Sequence, residues 1–114
     1  MFFVLYIGYL WKDKSSDGVR SLLRDNEIPL DKLLLETDAP FMFPVLKKAG
    51  FSDDVMSCIT SESSQAASYC SGGRNEPCAM AMVVEMVAAL MGKQPDHVAE
   101  VTTKNALKFF KIPE

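Results

Sequence analysis

The chain is poor in the residues that most often mark a nucleic-acid binder or a metal site. Across its 114 residues there is one histidine, His97, and Lys and Arg are outnumbered by Asp and Glu, leaving a net charge of −3. No overall basic field draws in nucleic acid, so any phosphate contact must be local. Cysteine is sparse and odd in number, with Cys58, Cys70 and Cys78. Such a set makes a poor disulfide framework, and with His97 it lacks the spacing of a zinc site. No Asn-x-Ser/Thr glycosylation site occurs. These absences point to an intracellular protein, in the cytoplasm or the nucleus. Long apolar runs are missing too. The opening stretch MFFVLYIGYLW ends at Trp11, short of the roughly 20 residues a spanning helix needs. It also lacks a basic leader and a small-residue cleavage site. No membrane anchor is expected, and a membrane-associated reading would rest on residues 1–11 alone.

What is present reads as a folded α/β domain or part of one. Hydrophobic residues make up 48% and charged residues 24%, a balance that suits a globular chain rather than a disordered one. Phe2, Phe3, Val4, Tyr6 and Ile7, followed by Gly8, read as a buried strand. KDKSSDG is a polar turn in which Ser16 or Asp17 can cap a helix. Val19, Leu22 and Leu23 then fall on one helical face, and Asn26 and Pro29 end it. A second apolar strand spans residues 32–37. Strand, amphipathic helix and apolar strand predict a βαβ unit with parallel strands and a right-handed crossover.

Beyond Phe41 the pattern weakens. VLKKAGF holds at most one helical turn, and residues 52–73 are rich in serine and poor in apolar periodicity. They are expected to form a long loop (a functional lid, an insertion or a disordered segment), hinged at Gly72 and Gly73. RNEPCAMAMVVEMVAALMG opens a strong helix with an apolar stripe at Met80, Val83, Val84, Val87 and Met91, closed by Gly92. Two further helices are expected. One starts at Pro95 and the other is capped by Thr102 or Thr103, with Leu107 and Phe110 on its apolar side.

The stretch with most chemical content is KLLLETDAP, residues 32–40. Side chains alternate along a strand, so Leu34, Glu36 and Asp38 share one face and Leu33, Leu35 and Thr37 the other. Leucines on both faces suit a parallel strand buried on both sides. Asp38 then falls at the C-terminal end of the strand, where (β/α)8 barrels build their active sites. A carboxylate there needs a cation or hydrogen-bond donors to offset its desolvation. One possibility is a metal ion, with Asp38 as ligand and proton acceptor for an attacking water. The other is a plain turn, in which Asp38 bonds its own backbone and Pro40 stops the strand. Glu36 lies deeper on the same face and is expected to support the site through hydrogen bonds from below.

Three blocks resemble the TatD family of metal-dependent deoxyribonucleases, in the order and approximate spacing of that family's C-terminal part. They are PLDKLLLETDAPFMFP at residues 29–44, RNEPCA at 74–79 and VAEVTTKNALKFF at 98–110. The resemblance implies a (β/α)8 barrel that binds a divalent metal (Mg, Mn or Zn) and cleaves DNA, often from the 3′ end. It implies a metal-binding and catalytic role for Asp38. Arg74, in the second block, is a candidate phosphate contact or a structural ion-pair partner. Asn105, in the third, is expected to satisfy nearby backbone groups rather than to touch substrate.

The family's other ligands, an N-terminal His-x-His pair, a glutamate and two more histidines, are not in this sequence. A whole barrel takes about 250 residues. The expected fold class is therefore α/β: the C-terminal fragment of a TIM-like (β/α)8 barrel, with about two βα units plus C-terminal helices. Two barrel strands leave open edges. The chain alone is expected to be marginally stable, or to depend on the missing barrel half as partner. Two functions follow from the sequence: the C-terminal portion of a metal-dependent DNase acting on a DNA substrate, or a non-catalytic fragment that docks on a complementary barrel part.

Overall fold

The computed structural model describes residues 3–6, 18–36, 49–68 and 79–113. Its frame is the expected βαβ unit. Strand β1 (Phe3–Tyr6) lies parallel to β2 (Leu33–Glu36), with Phe3 opposite Leu33 and Tyr6 opposite Glu36. Between them runs α1 (Val19–Arg24). Its N-cap is Gly18, which makes no side-chain cap bond, while Ser16 and Asp17 lie outside the described residues. The predicted apolar face is present: Leu23 is fully buried, and Val19 and Leu22 pack against the core. Arg20 is also buried. Its guanidinium donates to the Ala49 carbonyl at 2.6 Å and lies 4.1 Å from the centroid of the Phe51 ring. A carbonyl and an aromatic face thus offset the cost of burying that charge.

Three helices end in the same way. Asn26, Gly92 and Lys111 all have left-handed backbone, at φ 57°, 67° and 55°. At each, the next residue's N–H reaches back five positions: Glu27 to Leu22, Lys93 to Ala88 and Ile112 to Leu107. This Schellman closure satisfies carbonyls that would otherwise lack a partner at the helix end. Glycine and asparagine carry that conformation readily; lysine does so at a cost.

The serine-rich segment departs from expectation. Where the sequence predicts a loop over residues 52–73, the described part contains two helices, α2 (Asp53–Met56) and α3 (Ser61–Ser68). The hydroxyl residues are helix starts rather than loop filler. Ser52 Oγ accepts from the Val55 N–H at 3.4 Å, and Thr60 Oγ1 accepts from the Ser63 N–H at 3.2 Å. Asp53 and Asp54 stand in the first turn of α2, where acids suit the helix dipole. The Thr60 N–H donates to the buried carboxylate of Glu85 at 3.1 Å. Val55, Ile59, Ser63 and Ala67 recur every four residues on the core side. That stripe escapes a search for large apolar residues because two of its members are small.

Helix α4 (Met80–Met91) is the hub. It packs against α1, α2, α3, β2 and the last helix, α5 (Pro95–Phe109). Val83, Met86 and Val87 are fully buried. Of the predicted stripe, Val83, Val87 and Met91 are buried, and Met80 and Val84 half-buried. Met82, Met86 and Leu90 widen the apolar face until most of the helix is enclosed.

Helix α5 is continuous where the sequence predicts two helices. Thr102 does not cap a new one. It is buried, and its hydroxyl donates to the Val98 carbonyl at 2.8 Å, a back-bond that threonine makes within a helix. Val98, Thr102 and Asn105 form the buried stripe. Asn105 behaves as expected. Its Nδ2 donates to the carbonyls of Leu30 and Leu33, at 2.9 and 2.8 Å. Those groups bracket the 3-10 turn Leu30–Lys32 that feeds β2.

Asn105→Ala removes both donors from a buried site and should cost about 2–3 kcal/mol, read by urea unfolding of the chain. Gly92→Ala should cost about 1 kcal/mol. The added Cβ meets nothing within 4 Å, so the penalty is conformational alone. Lys111→Gly should act in the opposite direction, raising stability by about 0.5–1 kcal/mol in the same measurement.

Candidate functional site

The end of β2 is the part of the sequence-predicted site that the described residues reach. Alternation along the strand is visible in its packing. Leu33 and Leu35 join the helix-covered core, whereas Leu34 is buried outside that cluster. This confirms a strand enclosed on both faces at its start. Burial then falls toward the C-terminal end, where Leu35 is half-buried and Glu36 exposed. Glu36 closes the strand and shares the Leu34 face.

Glu36 was expected to be hydrogen-bonded beneath a site. Its side chain is exposed, and the residues that would lie above it, from Thr37 onward, are outside the described residues, so the expectation stays open. Asp38 follows two residues later and lies outside the described residues, as do Thr37, Arg74, Cys70 and Cys78. The described residues therefore reach Glu36 and include neither Asp38 nor Arg74. His97 is exposed in the first turn of α5, as expected, and Cys58 is exposed on the turn after α2. Among the described residues no group of three or more His, Cys, Asp or Glu could hold a metal ion. The described donors thus do not fit a metal by themselves. No helix among the described residues is long and apolar enough to cross a membrane.

Beside the strand end opens a cleft of about 620 Å³. Leu34, Leu35 and Glu36 form one wall; Met80 and Val84 of α4, with residues of α5 down to Phe109 and Phe110, form the others. Glu36 carries the one charge among the described residues that line it. The rest of the described lining is uncharged and mostly apolar.

The model of the TatD-related DNase family matches residues 3–111. This chain belongs to that family. The match runs through both strands of the βαβ frame and through α5, and the family's fold is a TIM barrel. The described part of that fold is one parallel strand pair with helices packed against it. Among curated relatives, the 3′–5′ ssDNA/RNA exonuclease TatD of Erwinia billingiae is 35% identical over 86 residues, covering 75% of this chain and 26% of the relative. The metal-dependent hydrolase YabD of Bacillus subtilis is 33% identical, with 75% and 25% covered. TatD of Erwinia tasmaniensis is 30% identical over 110 residues, with 96% and 34% covered. The chain spans a quarter to a third of the length of these relatives.

Sequence reasoning missed two buried charges, Arg20 and Glu85. Each does architectural work: Arg20 ties α1 to the Ala49 carbonyl, and Glu85 holds the start of α3. A charged residue in a helix that is otherwise apolar around it, such as Glu85 within MVVEMVAAL, was the available signal.

Because Glu36 is exposed, Glu36→Gln should change folding stability by less than about 0.5 kcal/mol. A loss of 2 kcal/mol or more in chemical denaturation (roughly what a buried, bonded acid would cost) would show that hydrogen bonds hold Glu36 within this chain.

Proposed function

We propose that this chain supplies the Asp38 corner of a metal-dependent hydrolase that cleaves DNA phosphodiester bonds. The observation that carries this reading is the family match across residues 3–111, within which Thr37-Asp38-Ala39-Pro40 follows in sequence a parallel strand buried at its start. On this reading β1 and β2 are the last two strands of the barrel. Asp38 stands at the mouth, two residues past the end of β2, and accepts a proton from the attacking water. Glu36, on the same face, adds negative charge beside it. Arg74 contacts a substrate phosphate, for which a planar guanidinium is well suited. A divalent metal (Mg, Mn or Zn) supplies charge stabilisation and a water of lowered pKa when bound. Its remaining donors come from segments that this sequence does not span. DNA as substrate is supported by the names of the relatives, several of which are exonucleases of single-stranded DNA and RNA.

A second reading is that the chain is a non-catalytic piece that acts by docking. Two observations favour it: the absence of a three-donor cluster among the described residues, and a sequence with one histidine, exposed on α5.

The deciding assay uses end-labelled single-stranded DNA with Mg, Mn or Zn, and a chelator control. The 114-residue chain is tested alone and as a hybrid in which it replaces the matching segment of the Erwinia billingiae relative. The hybrid should cleave from the 3′ end, and Asp38→Asn should slow it by about 10²–10⁴-fold. Undiminished cleavage by the variant would remove Asp38 from the mechanism. Strong, chelator-sensitive cleavage by the pure chain would dispose of the docking reading.

A further inference from the structure

Residues 49–68 combine a fixed corner, two short helices and a polar latch. The corner is Ala49–Phe51. Ala49 is fully buried, and its carbonyl accepts from the Arg20 guanidinium at 2.6 Å. The same guanidinium lies 4.1 Å from the centroid of the Phe51 ring. Between them Gly50 has left-handed backbone, at φ 66°, which glycine adopts without strain. This corner ties the segment to α1. Past it Ser52 caps α2, the chain continues into α3, and both helices pack against α4.

The forces that hold α2 and α3 on α4 are small. The two helices are four and eight residues long. Helices so short do not stand alone in water, so their helicity depends on docking. The side chains they bury are Val55, Ser63 and Ala67, with Ile59 of the intervening turn half-buried. Burial of such side chains stabilises far less than burial of the valines, leucine and methionines of α4. The tie of most consequence is polar: the Thr60 N–H donates to Glu85 Oε1 at 3.1 Å.

Glu85 itself fits a cover that comes off. It is 7% exposed, in a helix whose other residues are all apolar. A face that stays covered is served as well by an apolar side chain, because burying a carboxylate is costly. A face that is uncovered at intervals is better served by a charge, which takes up water when Thr60 leaves. The same carboxylate then receives the Thr60 N–H when the segment returns.

We infer that residues 52–68 form a strap that opens from α4 as one unit, pivoting on the pinned corner at Ala49–Phe51 and latched by the Glu85–Thr60 bond. Opening melts α2 and α3 together, since neither persists undocked. It leaves α1, α4, α5 and the strand pair in place, as a cooperative unit of lower stability does within a larger fold. The strap is independent of Asp38 and of nuclease activity.

Native-state hydrogen exchange of the full chain, read peptide by peptide, tests this. The amides of α2 and α3 should share one opening and exchange at least about tenfold faster than those of α4 and α5. Low urea should speed α4 and α5 steeply and the strap only slightly, because opening the strap exposes little surface. Asn105→Ala breaks bonds that survive in the open form. It should speed α4 and α5 by about 30- to 150-fold and leave the strap unchanged. Glu85→Ala weakens the closed form and should speed α2 and α3 alike by about 10- to 100-fold. Glu85→Gln keeps an acceptor for the Thr60 N–H and should lose less. A chain whose helices all exchange at one rate, with one urea dependence, overturns the inference. So does a strap that follows α4 and α5 in Asn105→Ala, or α2 and α3 responding separately to Glu85→Ala. Exchange of the strap at the same rate with and without the Glu85 side chain would remove the latch.

Discussion

Two N–H donors on one side chain hold the fold to its purpose. Asn105 lies in the middle of α5, buried to 3% exposure, and spends both donors on the carbonyls of Leu30 and Leu33. Those carbonyls sit at the entrance to β2, more than seventy residues earlier in the chain. An unpaired carbonyl in that interior is costly, so the helix and the strand entrance have one mutual arrangement that satisfies them. Everything downstream on β2 inherits its position from that arrangement: the burial of Leu33 and Leu34, the register against β1 and the exposure of Glu36 at the end.

Around this clamp the packing is centred on α4. Its enclosure by four helices and a strand explains why Val83, Met86 and Val87 are fully buried, and why a carboxylate inside it, Glu85, has to find a donor. The donor is the Thr60 N–H, so the cost of one buried acid also organises the start of α3. Arg20 plays a comparable part on the other side, joining α1 to the segment at Ala49 and Phe51. Buried charge here is used to register helices.

The same frame divides the surface in two. In the proposed function, the C-terminal end of β2 leads in sequence to Asp38. The cleft beside β2 and the aromatic rim at the end of α5 are, among the described residues, largely apolar.

Much of this was legible in the order of residues. The βαβ unit followed from apolar periodicity in residues 1–37, Gly92 from its place after an apolar helix, and the backbone role of Asn105 from its helical setting. The family itself was visible in short blocks such as ETDAP, because chemistry at a strand end constrains residue identity locally. The departures have physical causes. Ser52 and Thr60 looked like loop residues, yet hydroxyls at a helix start are caps, and only packing of the small Ser63 and Ala67 against α4 shows that helices follow. Thr102 looked like a cap and is instead enclosed, its hydroxyl spent within a continuous helix. Sequence determined which elements form and which residue types stand at their ends, since those depend on neighbours a few positions away. Tertiary structure alone decided which polar groups are buried and what satisfies them, and which apolar side chains are left facing outward, because burial depends on contacts between residues far apart in the chain.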